Sequence, residues 1–170
     1  MTGLGLLVGV AVQSALAALM PGAAFRLKWP NDVMVGSAKL AGMLLEREGD
    51  CVIAGIGINV AAAPVLPDRE TIALADLMGG ETIHAGAMLD ALVPAVDHWL
   101  DCWRGEGNAA IIAAWQVRAH PLGTKLRVST GADRPQHGRF LGLGGDGALI
   151  LGLEDGTQQM IHSGDVGMLP

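Results

Sequence analysis

Between Phe25 and Asn59 the chain collects several groups that act on anions. Arg26-Leu27-Lys28-Trp29-Pro30-Asn31-Asp32 sets cations, an amide and a carboxylate around a strand end and a turn. Pro30 fixes one backbone dihedral, so the groups that follow are held with little freedom. Further on, Lys39 opens the stretch Lys39-Leu40-Ala41-Gly42, and Gly55-Ile56-Gly57-Ile58-Asn59 ends in a second amide. Lysines supply mobile positive charge for phosphate or carboxylate oxygens. An aspartate beside them could hold Mg²⁺, which takes carboxylate, phosphate and water oxygens. An asparagine can read a base edge through its paired donor and acceptor. Gly55 and Gly57 leave a strand surface bare enough for a flat ligand. The set suits a nucleoside triphosphate beside a small apolar carboxylate. Charged turns and strand glycines are mostly structural, so these residues alone leave a structural role open.

The elements that must bring these groups together can be read from periodicity and breakers. Leu4 to Leu19 is apolar on all sides and predicts a buried helix, stopped by Pro21-Gly22. Phe25 to Trp29, Val33 to Val35, Lys39 to Glu48 and Val52 to Val60 read as strands joined by tight turns, an antiparallel meander. In such a meander Lys28, Asn31, Asp32, Lys39 and Asn59 could face one cleft. A proline-bearing loop follows, then a short helix over 71–78 closed by Gly79-Gly80. His84 to Arg104 is amphipathic, with Pro94 expected to kink or split it. Asn108 to Ala119 is a further helix with Asn108 as its expected N-cap. After His120-Pro121-Leu122-Gly123 the character changes. Lys125 to Ser129, His137 to Leu141, Ala148 to Leu153 and Gln158 to His162 predict a small all-β barrel.

Composition narrows the class. Hydrophobic residues make up 51% of the 170 and charged ones 16%, which argues against disorder and allows a sizeable core. A net charge of −6 without a basic block argues against a protein that grips nucleic acid through phosphates. The apolar stretch at the start lacks a basic region before it, is interrupted by Gln13 and Ser14, and falls short of the ~20 residues a membrane span needs. Cys51 and Cys102 form no metal-binding or redox motif, so free thiols in the reducing cytoplasm are expected.

Taken together and in order, Lys28-Trp29-Pro30-Asn31-Asp32, Lys39-Leu40-Ala41-Gly42 and Gly55-Ile56-Gly57-Ile58-Asn59 resemble the catalytic signature of biotin–protein ligases. Gly147-Ala148-Leu149 and His162-Ser163-Gly164-Asp165-Val166 resemble the SH3-like C-terminal domain of the same enzymes, so the resemblance covers essentially the whole chain. It implies an α+β fold. Residues 1–119 would form the C-terminal part of a class II synthetase-like ligase domain, with a mixed or antiparallel sheet and helices. Residues 122–170 would form the SH3-like barrel. The implied reaction joins biotin to ATP as biotinyl-5′-AMP, then passes biotin to a lysine of the biotin carboxyl carrier protein of acetyl-CoA carboxylase. By the same resemblance Lys39 would be catalytic, its ammonium lying between the biotin carboxylate and the α-phosphate. Lys28, Asn31, Asp32 and Asn59 would bind nucleotide, Asp32 with Mg²⁺. Lys39, Gly42, Gly55 and Gly57 would line the biotin pocket.

The family's Gly/Arg-rich biotin loop, and the Ser-Thr pair and Gln before it, have no counterpart here; neither has a helix-turn-helix. The expectation is that this polypeptide alone forms the adenylate poorly and has no repressor function. Strand edges left open would favour self-association, a homodimer included. The rival reading is a non-catalytic fragment that binds the carrier or pairs with an intact ligase; a lipoate-attaching enzyme is a third.

Gly142-Leu143-Gly144-Gly145-Asp146-Gly147 satisfies a dinucleotide-binding pattern, but a strand rather than a helix should follow, so a hairpin turn is expected. Trp29, Trp99, Trp103 and Trp115 are expected in the core, and the histidines show no metal spacing.

Overall fold

The computed structural model describes residues 2–79, 83–131 and 134–169. The first helix, α1 (Thr2–Leu19), is the hub of the larger part. Leu6, Leu7, Val10, Val12 and Leu16 are each at most 1% exposed. Fully burying such a side chain is worth roughly 1.5–3 kcal/mol, so this helix anchors the core. Its polar interruptions are used rather than wasted. Ser14 Oγ accepts a hydrogen bond from Trp99 Nε1 at 3.1 Å, and Gln13 Oε1 accepts one from Arg118 Nε at 3.0 Å. These bonds tie α1 to α3 (Ala85–Glu106) and α4 (Asn108–Arg118). No helix of the described residues is long and apolar enough to cross a membrane.

On the other side of α1 lies an antiparallel meander of β1 (Phe25–Lys28), β2 (Asp32–Val35), β3 (Ala38–Glu48) and β4 (Cys51–Ile58), in that order. The short helix α2 (Leu74–Leu77) follows, shorter than the predicted 71–78. Thr71 is instead drawn into a parallel bridge with Lys39. Gly80, expected to help close that helix, lies outside the described residues, as do Met1 and Pro170 at the ends of the two expected parts.

Pro94 stands inside one continuous α3, so the helix is not split there. It is exposed, so the carbonyl it leaves unbonded can turn to water. On this amphipathic helix Leu89 is 57% exposed. Asn108 is the first residue of α4 rather than its cap; Gly107, at φ 74°, takes the cap position. The Asn108 side chain instead accepts from Trp103 Nε1 at 2.8 Å. Trp29 and Trp115 are core residues, while Trp99 and Trp103 are only half-buried.

The C-terminal part has one strand more than expected. Strands β5 (Lys125–Ser129), β6 (Gln136–Leu143), β7 (Leu149–Gly152), β8 (Gln158–Ile161) and β9 (Asp165–Met168) form an antiparallel sheet in the order β8-β7-β6-β5-β9. The ladder is open between β8 and β9, so among the described residues it is an open sheet rather than a closed barrel. The glycine run at 142–147 ends β6 and turns into β7, a hairpin and not a nucleotide loop.

Candidate active site

Strand register builds the site. Lys28 pairs with Asp32, Asp32 with Gly42 and Gly42 with Gly57, so these four form one row across the meander. Lys39 joins that row through a β-bulge. Opposite Val33 and Met34 the partners are Ala41 and Lys39, so Leu40 is the extra residue. In a regular strand Lys39 and Gly42, three residues apart, would point to opposite faces. A bulge adds one residue and re-aims the side chain. Met34 shares a face with Asp32, and Lys39, its partner, therefore faces Asp32 as Gly42 does.

The result is a carboxylate clasped by ammoniums. Asp32 is 5% exposed and is the one buried charged or polar side chain among the described residues. Lys28 Nζ lies 3.0 Å from its Oδ2 and Lys39 Nζ 2.5 Å from its Oδ1. The Lys39 contact is off the angle of a hydrogen bond, so charge rather than a directed bond holds Oδ1. Lys28 is further fixed by donating to the Val166 carbonyl at 2.9 Å. The next residue, Trp29, donates from Nε1 to the Gly147 carbonyl at 3.1 Å. The end of β1 is thereby fastened to the second sheet at two successive side chains.

Lys39 stands where two clefts meet. One, of about 510 Å³, is charged; Lys28, Asp32, Lys39 and Arg69 line one wall, and Arg127 and Asp165 of the C-terminal sheet line the other. The second, of about 330 Å³, is more apolar, and Lys39, Gly42, Gly57, Asn59, Leu66 and Thr71 lie around it. Sequence reading had no signal for Arg69, Arg127 or Asp165, since nothing local announces that β5 and β9 close the far wall. Arg69 is held by Asp68 at 2.7 Å, and this hydrogen-bonded pairing raises its pKa.

The expected residues divide in two. Lys28, Asp32, Lys39, Gly42, Gly57 and Asn59 are brought together around these clefts. Asn31 is not on either wall. Its Nδ2 donates to the Met43 carbonyl at 2.5 Å, which staples the turn to β3. Asn59 also gives its amide nitrogen to the backbone, at 3.1 Å to Ile72 O and 3.4 Å to Lys39 O, which leaves its side-chain oxygen as the free acceptor. Gly55 lies farther along the exposed β4 and borders neither cleft.

A resident Mg²⁺ on Asp32 does not fit this geometry. A hard dication needs carboxylate oxygens free to face it, whereas both Asp32 oxygens face ammoniums. No group of three or more His, Cys, Asp or Glu side chains among the described residues is placed to hold a metal ion.

Comparison with known proteins agrees with this architecture. Residues 2–60 match the biotin/lipoate A/B protein ligase family, and residues 126–168 match the biotin protein ligase C-terminal domain. The biotin–[acetyl-CoA-carboxylase] ligase of Paracoccus denitrificans is 39% identical over 158 residues, covering 87% of this chain and 65% of that protein. The enzyme of the same name from Mycobacterium tuberculosis is 31% identical, covering 96% of this chain and 61% of that one. The chain thus spans under two thirds of the length of these curated relatives. Among solved structures, the biotin protein ligase of Aquifex aeolicus superposes with a TM-score of 0.86 at 24% identity, over 99% of this chain and 75% of that one, a likeness of fold. The Aquifex ligase in complex with biotin and ATP gives 0.83 at 25% identity, over 99% of this chain and 72% of that one. With its opening residues and its last sheet matching the two parts of one kind of enzyme, in the fold that enzyme adopts, this chain belongs to the biotin protein ligase family.

Proposed function

We propose that the chain serves the ATP-dependent attachment of biotin to a lysine of a biotin carboxyl carrier protein, through biotinyl-5′-AMP. The observation that carries this reading is Lys39 at the junction of a charged and an apolar cleft. A triphosphate suits the first cleft and a small apolar carboxylate the second. The two anions would then meet at the Lys39 ammonium, which offsets their repulsion and the charge that builds during transfer. Lys28 supports the phosphates, and Asp32 keeps both ammoniums in place. Gly42 and Gly57 open the backbone for biotin, and Asn59 meets the nucleotide with its free acceptor. Mg²⁺ would travel with the nucleotide as its counter-ion. Residues 1–119 form the ligase part and 122–170 a domain that closes its cleft. A cytoplasmic setting suits the free thiols Cys51 and Cys102. The net charge does not favour nucleic acid as a partner. The exposed β4 supports self-association as a dimer.

The test is calorimetry with ATP and biotin, followed by adenylate formation in the wild-type chain and Lys39→Ala. Nucleotide binding, with adenylation falling at least ~10²-fold in the variant, is the expected result. Near-normal adenylate from a folded Lys39→Ala protein rejects the catalytic role. Binding of the carrier protein alone favours the fragment reading, which the exposed length of β4 also supports.

A further inference from the structure

We infer that Arg127, from the C-terminal sheet, is a binding residue for the two outer phosphates of the nucleotide. This rests on the ligase reading above. Arg127 is at an outward position of β5, whose alternate residues Leu126 and Val128 are buried. It has two partners in the ladder: Gly167 of β9, which offers no side chain to cover it on the side toward Val166, and the exposed His137 of β6, with which it makes no hydrogen bond. One register step away is Val166, the residue whose carbonyl receives the Lys28 ammonium. Paired strands lie about 5 Å apart, so this bond sets the root of the Arg127 side chain close to where Lys28 docks. Both residues line the charged cleft.

The guanidinium has nothing to do in the folded chain. Its side chain has no ion-pair or hydrogen-bond partner among the described residues. Asp165 is on the same face, but in register it opposes Ser129 and makes no ion pair with Arg127. By contrast the other cations of the cleft are engaged: Lys28 and Lys39 with Asp32, and Arg69 with Asp68. An unpaired planar fork facing a cleft of this size is suited to bidentate phosphate recognition. Its position selects which phosphates. Lys39 borders both clefts, whereas Arg127 borders only the charged one and stands on its far wall. If the α-phosphate sits at Lys39, the β- and γ-phosphates extend toward Arg127. The C-terminal domain then holds the pyrophosphate that leaves during adenylation.

The experiment is titration calorimetry of the whole chain and of Arg127→Ala and Arg127→Lys with ATP·Mg²⁺ and with AMP. The expected result is at least about tenfold weaker ATP binding by Arg127→Ala, the scale of a lost charge-assisted hydrogen bond. AMP affinity stays within about twofold, and Arg127→Lys recovers part of the loss because it keeps the charge without the fork. Unchanged ATP affinity in Arg127→Ala overturns the inference and leaves the ligase reading standing. An equal loss for ATP and AMP overturns the assignment to the outer phosphates. A wild-type chain that binds neither nucleotide overturns the ligase reading itself.

Discussion

Lys39 folds back across Gly42: a Cβ at position 42 would stand 2.8 Å from the lysine Nζ and 3.0 Å from its Cε. Those atoms are the mobile end of a flexible chain, so an alanine is accommodated by moving the ammonium rather than the backbone. Gly42→Ala is therefore expected to fold with only a modestly lower thermal midpoint, Lys28 still holding Asp32, while it pushes Lys39 off the carboxylate. Adenylation should fall about tenfold or more, since a misplaced charge stabiliser loses much of its effect. A variant that melts far below the wild type, or that keeps full adenylation, contradicts this account of the glycine.

Asp32→Asn removes the charge that holds both ammoniums while keeping the shape. Lys28 and Lys39 would then face each other across a neutral amide, at a site that is largely buried. The expected cost is about 1–3 kcal/mol, read as a lower denaturant midpoint at constant slope, the scale for orphaning a buried polar partner. An unchanged midpoint would mean that the clasp contributes nothing to folding.

How much of this was legible beforehand depends on range. The meander and its turns were readable because the groups that cause them are local: the glycines at 36 and 49, and the Pro30-Asn31-Asp32 turn. The meeting of Lys39 with Asp32 was expected, but its cause was not visible. Strict two-residue alternation puts Lys39 on the wrong face relative to Gly42, and the bulge at Leu40 corrects it. The bond from Asn31 to the Met43 carbonyl was not legible, because an amide in a turn looks the same in sequence whether it meets a ligand or a backbone carbonyl. Strand β9 went unpredicted because Asp165–Met168 is short and glycine-bearing, and becomes a strand only by pairing with β5. The far wall of the cleft was hidden for the same reason.

Trp29→Phe tests the fastening between the two sheets. The ring remains in the core, but the Gly147 carbonyl loses the indole donor. A loss of about 1–2 kcal/mol is expected for a buried acceptor left unbonded. Proteolysis near residues 120–123 should quicken as well, and an unchanged cleavage rate would show that the bond is dispensable.

His120, in the connection after α4, supplies a pH dependence. Burial chiefly, then the charges of Arg26 and Lys28, hold its pKa below the ordinary 6.5. The folded chain keeps the ring neutral while the unfolded chain takes up a proton as pH falls through 6.5. Stability from this group is thus complete above that value and declines as pH drops from there toward the lower folded pKa. Denaturant midpoints measured from about pH 7.5 to 5 should fall for the wild type and fall less for His120→Gln. Parallel curves for the two proteins would remove His120 as the cause.

The bonds from Lys28 and Trp29 to the carbonyls of Val166 and Gly147 also bear on how the protein can be handled. The last strand, ending at Met168, borders the cleft itself, and Leu169 is still bonded to Lys125. A purification tag or fluorescent label appended after that strand would hang at the rim of the cleft. It would act as a reporter of cleft occupancy and as an obstacle to any large partner that approaches the cleft.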